Sequence, residues 1–182
     1  MRVLIVSTCR YRLSEYEFVT PLIQICRKSG AEVEVARYDS LRNVDPGKYS
    51  HAVISGTALK DFDYLNYVED FEPLLEEGIP VLGICAGAQV IALYYGSKLE
   101  DLVIIGRHPV HVVRENPLLP SGTTHAYFLL SKVIVPTRKL IELGRTGEAT
   151  SLYKVEGRET YGALFHPEVL NREVIRNFLE NT

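Results

Sequence analysis

Three short uninterrupted apolar runs narrow the choice of fold more than any other feature: "RVLIVS" at 2–7, "HAVIS" at 51–55 and "IPVLGIC" at 79–85. Runs of this length that do not alternate with polar residues are strands covered on both faces, as in the interior of a parallel sheet. "EVEVARY" at 32–38 reads as a further strand. Helical segments lie between them. The first ends at Gly30 and opens either at a Ser14/Glu17 capping box or at Thr20-Pro21. The second, "YLNYVEDFEPLLEEG" at 64–78, has apolar residues at helical spacing, with Pro73 as a kink. The third runs from Ala86 to about Tyr95. Strands alternating with helices predict an α/β fold with a mainly parallel central sheet, flanking helices and right-handed crossovers. Ligands of such sheets sit at the carboxyl ends of the strands.

From about 102 to 165 the pattern changes to "HPVHVVR", "HAYFLLS", "SLYKVEG" and "TYGALF", which predict a small antiparallel addition. "NREVIRNFLEN" closes the chain as an amphipathic helix with Asn171 at its N-cap. At 182 residues the whole, 1–182, is expected to be a single domain. No apolar run approaches the ~20 residues of a spanning helix, and the N-terminus lacks a leader's cleavage pattern, so the expectation is a cytoplasmic protein without a membrane partner. A net charge of −3 with mixed signs argues against nucleic acid as a partner. Cys9, Cys26 and Cys85 are too few and scattered for a disulfide framework, and no C-x-x-C pair suggests a metal. No phosphate-loop pattern marks a cofactor, so none is expected.

One of these cysteines sits where chemistry can be done. In "VLGICAGAQ", Cys85 lies between Gly83 and Gly87 at a strand-to-helix junction. A nucleophile in such a sharp turn needs small neighbours two residues away, and the helix that follows favours a thiolate through its dipole. The Ala86 N–H is a candidate oxyanion donor. The alternative is close helix-strand packing around a buried thiol. A base and its orienter are available in "FHPEV" at 165–169, where His166 and Glu168, two apart in an extended stretch, project to one side. A surface pair at the last helix is the competing explanation. Gly56 and Thr57, in the turn after "HAVIS", offer further backbone N–H groups for an oxyanion hole, or form an ordinary strand-ending turn.

Taken together and in this order, the segments resemble the class I, triad-type glutamine amidotransferases. That family carries G-x-C-x-G-x-Q, here Gly83, Cys85, Gly87 and Gln89, and F-H-P-E, here intact at 165–168. The resemblance implies a flavodoxin-like sheet and a triad of Cys85, His166 and Glu168 that hydrolyses the side-chain amide of L-glutamine. It also implies that Gln89 and the backbone at Ala126 and Tyr127, in "TTHAYF", seat the substrate, with Thr124 and His125 a loose match to the family's pattern there. Three positions depart from the family: Ala88 where most members have His, Leu164 where many have Gln, and Gly56-Thr57 where a double glycine is usual.

Such a domain passes ammonia to a synthetase. The chain ends soon after Glu168, so the resemblance implies a separate synthetase as partner, as for the free-standing glutaminase subunits of two-subunit GMP synthases. The rival readings are a stand-alone γ-glutamyl cysteine hydrolase and a catalytically silent binding module of the same fold.

Overall fold

The structure is a computed structural model that describes residues 1–182. Nine strands form one sheet: β1 (Arg2–Ser7), β2 (Glu32–Arg37), β3 (His51–Ile54), β4 (Val81–Ile84), β5 (Lys98–Val112), β6 (Gly122–Val135), β7 (Leu140–Thr146), β8 (Ala149–Val155) and β9 (Thr160–Ala163). Their spatial order is β2-β1-β3-β4-β9-β8-β7-β5-β6. The first five in that order are mutually parallel, and β8, β7, β5 and β6 continue the sheet antiparallel. The expected antiparallel addition is therefore the other half of the same sheet, built on β5 and β6, which are longer than the short pieces seen in the sequence. Every residue of β3, β4 and β9 is buried, as runs without alternation require. β2 is the edge of the sheet and the most exposed of the parallel strands, which suits its Glu-Val-Glu-Val alternation.

Helices α1 (Glu15–Phe18), α2 (Thr20–Lys28), α3 (Glu72–Glu76), α4 (Ala86–Tyr94) and α5 (Arg172–Asn181) cover the parallel half. α2 packs on α5, β1 and β2, while α4 packs on β3, β4, β9 and the segment 63–71. The first crossover leads from β1 to β2 in one direction, and the later ones lead away in the other. Right-handed connections then put the two groups of helices on opposite faces. This reversal leaves a crevice at the carboxyl ends of β1 and β3.

The structure decides three local points. α2 opens at Thr20 with Pro21 in its first turn, and Ser14 makes no side-chain cap, so the proline start wins over the capping box. Residues 63–71 form 3₁₀ turns, and α3 begins only at Glu72, with Pro73 in its first turn and not at a kink inside a longer helix. Proline has no N–H to give to a preceding turn, so it starts helices better than it continues them. Asn171 stands at the N-cap of α5 without a capping bond from its side chain.

Candidate active site

Cys85 follows β4 directly. Its N–H donates to Ala163 O of β9 at 2.8 Å, and its backbone takes φ 47° and ψ −103°, the one non-glycine residue with positive φ. Such a conformation costs on the order of 1–3 kcal/mol and persists where the surroundings over-determine it. The surroundings here are the flanking glycines. A Cβ on Gly87 would lie 2.4 Å from Ile54 O, and one on Gly83 would lie 2.6 Å from the Gly87 carbonyl carbon. The helix thus meets β3 and β4 backbone to backbone, and Gly87 N–H donates to Ser55 O at 3.1 Å.

β9 runs parallel beside β4, with Gly83 paired to Gly162. The residues just beyond both strands are therefore neighbours at one sheet end, although far apart in sequence. His166 arrives there, 1% exposed, packed against Phe18 at a ring-centroid distance of 5.6 Å. Its Nδ1 lies 2.8 Å from Glu168 Oε1, and Glu168 is 3% exposed. The pair is buried, which removes the surface-pair alternative. The link between them is a turn and not the extended stretch expected. Val169 N–H donates to His166 O at 3.1 Å, with Pro167 at the second turn position that its fixed φ favours.

Nε2 of His166 has no hydrogen-bond partner. Burial alone would lower the imidazole's proton affinity, but the neighbouring Cys85 and the hydrogen-bonded Glu168 carboxylate outweigh it. The net result is a pKa well above the ordinary histidine value. Protonation then stabilises the fold fully below an unfolded value of ~6.5 and ceases to do so as pH rises through the folded value.

Gly56 lies against both His166 and Cys85. A Cβ there would lie 2.6 Å from His166 Cε1 and 3.3 Å from Cys85 Cβ, so no other residue fits. Thr57 and Ala86 line the cavity beside Cys85 together with Asp61, Tyr64, Gln89 and the β6 segment Leu129–Ser131. Ala86 opens α4, where first-turn N–H groups lack partners within the helix. Gln89 Nε2 donates to Lys132 O at 2.8 Å, and its Oε1 accepts from the Tyr64 hydroxyl. Cys85 Sγ reaches Leu129 O at 3.5 Å. The cavity measures about 10 Å³, room for about one water.

Ala126 and Tyr127 are not among its lining residues. Ala126 is buried in β6, the Tyr127 carbonyl accepts from His166 N–H at 2.8 Å, and His125 is exposed. The sheet brings the later residues Leu129, Leu130 and Ser131 to the cavity instead. The available signal was the continuation of the apolar strand past Ser131 to Val135, which puts the middle of β6 at Leu129 and not at Ala126. Tyr64 and Asp61 also line the cavity, and no motif in the sequence marks them.

Two of the departures from the family pattern lie in the packed interior. Ala88 is fully buried, and its carbonyl accepts from the Tyr153 hydroxyl at 2.5 Å. The Tyr153 ring occupies the place where a Cβ on Gly162 would sit, 2.2 Å from the nearest ring carbon. Leu164 is 1% exposed, and its N–H donates to Ser151 O at 2.8 Å.

A cysteine on a strand-to-helix elbow, beside a buried histidine and carboxylate at the carboxyl end of a parallel sheet, is an arrangement in which a cysteine can act as a nucleophile. The class can be narrowed further. Residues 13–182 match the family model of the class-I glutamine amidotransferases, and the chain belongs to that family. It is 25% identical over 162 residues to a GMP synthase (glutamine-hydrolyzing) of Phocaeicola vulgatus, covering 85% of this chain and 31% of that protein. To the GMP synthase of Phenylobacterium zucineum it is 30% identical over 174 residues, covering 88% of this chain and 34% of that protein. The chain thus spans about a third of the length of these relatives. Among solved structures, that of a GMP synthase subunit from Thermoplasma acidophilum superposes with a TM-score of 0.85 at 20% identity, over 99% of this chain and 92% of that one. A glutamine amidotransferase from Thermotoga maritima superposes with a TM-score of 0.74 at 19% identity, over 97% and 80%. Both carry the same flavodoxin-like sheet.

Proposed function

We propose that residues 1–182 form a single glutaminase unit that hydrolyses the side-chain amide of L-glutamine and delivers the ammonia to a separate synthetase, that of a GMP synthase in the first instance. The observation that carries the reading is the strained Cys85 held beside the buried His166–Glu168 pair. Cys85 attacks the amide carbon, and the developing oxyanion is received by N–H groups at Ala86 and at the Gly56-Thr57 turn. The imidazolium of His166 gives its proton to the departing ammonia, while Glu168 holds the ring through Nδ1. Water, activated by the now neutral His166, attacks the thioester and releases glutamate. No metal or cofactor enters this sequence of steps. Gln89 has its amide and carbonyl both engaged at the cavity wall, which supports a role in shaping the substrate seat. The three cysteines are free, and the reading places the enzyme in the cytoplasm, where thiols stay reduced.

The small size of the cavity supports dependence on a partner. Glutamine fits only after Leu129–Ser131 and the facing loop at 57–62 separate, and a synthetase docked at this sheet end can supply the energy. The test is glutamate release by the isolated chain and by the chain mixed with GMP synthetase, with xanthosine monophosphate and ATP present. Release that rises on mixing bears the reading out; equal, rapid turnover without any synthetase would favour the stand-alone hydrolase.

Two further outcomes follow. Glu168→Gln is expected to lower kcat by ~10²-fold or more, because the amide no longer enforces one tautomer. It also removes an anion that raises the His166 pKa, so the alkaline limb of the kcat profile should move to lower pH. An alkaline limb that stays in place would contradict the role given to Glu168. Cys26 lies buried with its thiol pushed up to about 12, so limited iodoacetamide treatment at pH 8 followed by peptide mass spectrometry should leave it unmodified. Modification of Cys26 ahead of Cys85 would contradict that burial.

A further inference from the structure

The peptide between Gly56 and Thr57 is gripped by its carbonyl. Gly56 O accepts from Ser55 Oγ at 2.9 Å and Cys9 Sγ at 3.7 Å, and it shares the single Thr8 hydroxyl hydrogen, at 3.1 Å, with Ser55 O at 3.0 Å. A trans peptide carries its N–H opposite its C=O. With the carbonyl turned toward the loop after β1, the Thr57 N–H is turned away from that loop. Thr57 is also a wall of the cavity at Cys85.

The side chain of Thr57 is fixed separately. Its hydroxyl donates to Asp61 Oδ2 at 2.7 Å, and the same oxygen accepts from Arg10 N–H at 2.8 Å. Oδ1 accepts a longer bond from Asp63 N–H, at 3.3 Å. Asp61 is 9% exposed, and its hydrogen-bond partners are a hydroxyl and backbone N–H groups, not a cation. A buried carboxylate without a cation is costly, and negative charge near a developing oxyanion opposes it. Both penalties have to be offset by what the carboxylate holds in place.

We propose that Asp61 is a positioning residue for the oxyanion donor: through the Thr57 hydroxyl and the Arg10 N–H it clamps the Gly56-Thr57 turn to the loop after β1, so that the Thr57 N–H stays aimed at the cavity beside Cys85. The proposal rests on the reading of Cys85 as a nucleophile toward carbonyl carbon. It adds a residue that neither strong motif contains, and it gives Thr57, where the family has glycine, a function for its side chain.

Two reagents, each applied to the chain with and without GMP synthetase, separate positioning from general support. Acylation of Cys85 by p-nitrophenyl acetate passes through a tetrahedral oxyanion, forming the thioester and expelling p-nitrophenolate. Alkylation by iodoacetamide displaces iodide at a saturated carbon and forms no oxyanion. Asp61→Ala is expected to slow acylation about 100-fold, the scale of losing one oxyanion donor, and to leave alkylation unchanged. Asp61→Asn keeps an oxygen for Thr57 and Arg10 and should recover most of the rate. Thr57→Val should match Asp61→Ala, and the double variant should be no slower than either, since both cut the same link. With glutamine as substrate the loss should fall on kcat and not on KM. Equal slowing with both reagents, undiminished acylation in Asp61→Ala, no recovery in Asp61→Asn, or no acylation of wild-type Cys85 would each overturn the proposal. A wild-type chain that is acylated by the ester, yet releases no glutamate from glutamine with or without a synthetase, would sink the glutaminase reading and leave the assignment of Asp61 standing.

Discussion

Cys85→Gly is expected to be more stable than Cys85→Ala by about 1–2 kcal/mol, while both abolish glutamine hydrolysis. The first half follows from backbone geometry. At φ 47° and ψ −103° any side chain is strained, and glycine alone occupies that region freely. At most buried positions alanine is the more stable of the two, so a reversed order is a signature of the elbow. The comparison with alanine cancels most of the lost sulfur packing, leaving the Cβ as the main difference. The second half follows from the chemistry: without the sulfur no thioester forms, and the loss in kcat should be on the order of 10⁴-fold or more. Thermal unfolding of the two variants, with glutamate release measured in the presence of a synthetase, checks both. Alanine proving the more stable would mean that the backbone at position 85 is not strained. Retained turnover in either variant would remove Cys85 from the mechanism.

Gly87→Ala is expected to carry the largest stability penalty of any single methyl added to this chain's elbow. The new Cβ would lie 2.4 Å from Ile54 O and 2.8 Å from Ile54 C, both backbone atoms of the central strand β3. A flexible side chain could swing aside, but a strand hydrogen-bonded on both edges cannot. α4 would have to withdraw, taking the Gly87 to Ser55 hydrogen bond with it. The expected cost is about 3 kcal/mol, the upper part of the usual range for overpacking. That corresponds to a fall in Tm of roughly 6–12 °C for a chain of this size. Withdrawal of α4 also displaces Ala86 from the cavity, so activity should fall further than the unfolded fraction accounts for. A Tm unchanged from wild type would show that the helix does not approach β3 as closely as described.

Much of this arrangement is legible in the sequence because it is local. The runs at 2–7, 51–55 and 79–85 announce buried parallel strands, and the two glycines around Cys85 announce the elbow. The intact F-H-P-E announces a histidine with a carboxylate in reach. Where local signals compete the sequence is silent on the winner. Thr20-Pro21 prevails over Ser14/Glu17, and Pro73 begins a helix that the hydrophobic spacing places several residues earlier. The cavity wall lies a few residues beyond its expected place for a related reason. β6 is a strand of 14 residues whose apolar run to Val135 puts its middle near Leu129, but the middle of a strand is not by itself the stretch that crosses the cavity. Its register against β5 and the seating of the sheet under α4 decide that, and they choose Leu129–Ser131 over Ala126 and Tyr127.

The sequence by itself determined the class of fold and the candidate reactive groups, because strand burial, turn sterics and nucleophile chemistry each act over a few residues. Only the tertiary structure decided which of those groups meet. β9 returns beside β4 after the whole antiparallel half has been laid down, and that one pairing sets His166 and Glu168 against Cys85. The clamp on Thr57 has the same origin. Thr8, Arg10, Ser55 and Asp61 come from two strand ends and a loop whose contact depends on β1 lying next to β3. Hydrogen bonds between segments so far apart in the chain leave no periodicity and no motif behind, because their geometry exists only once the sheet has formed.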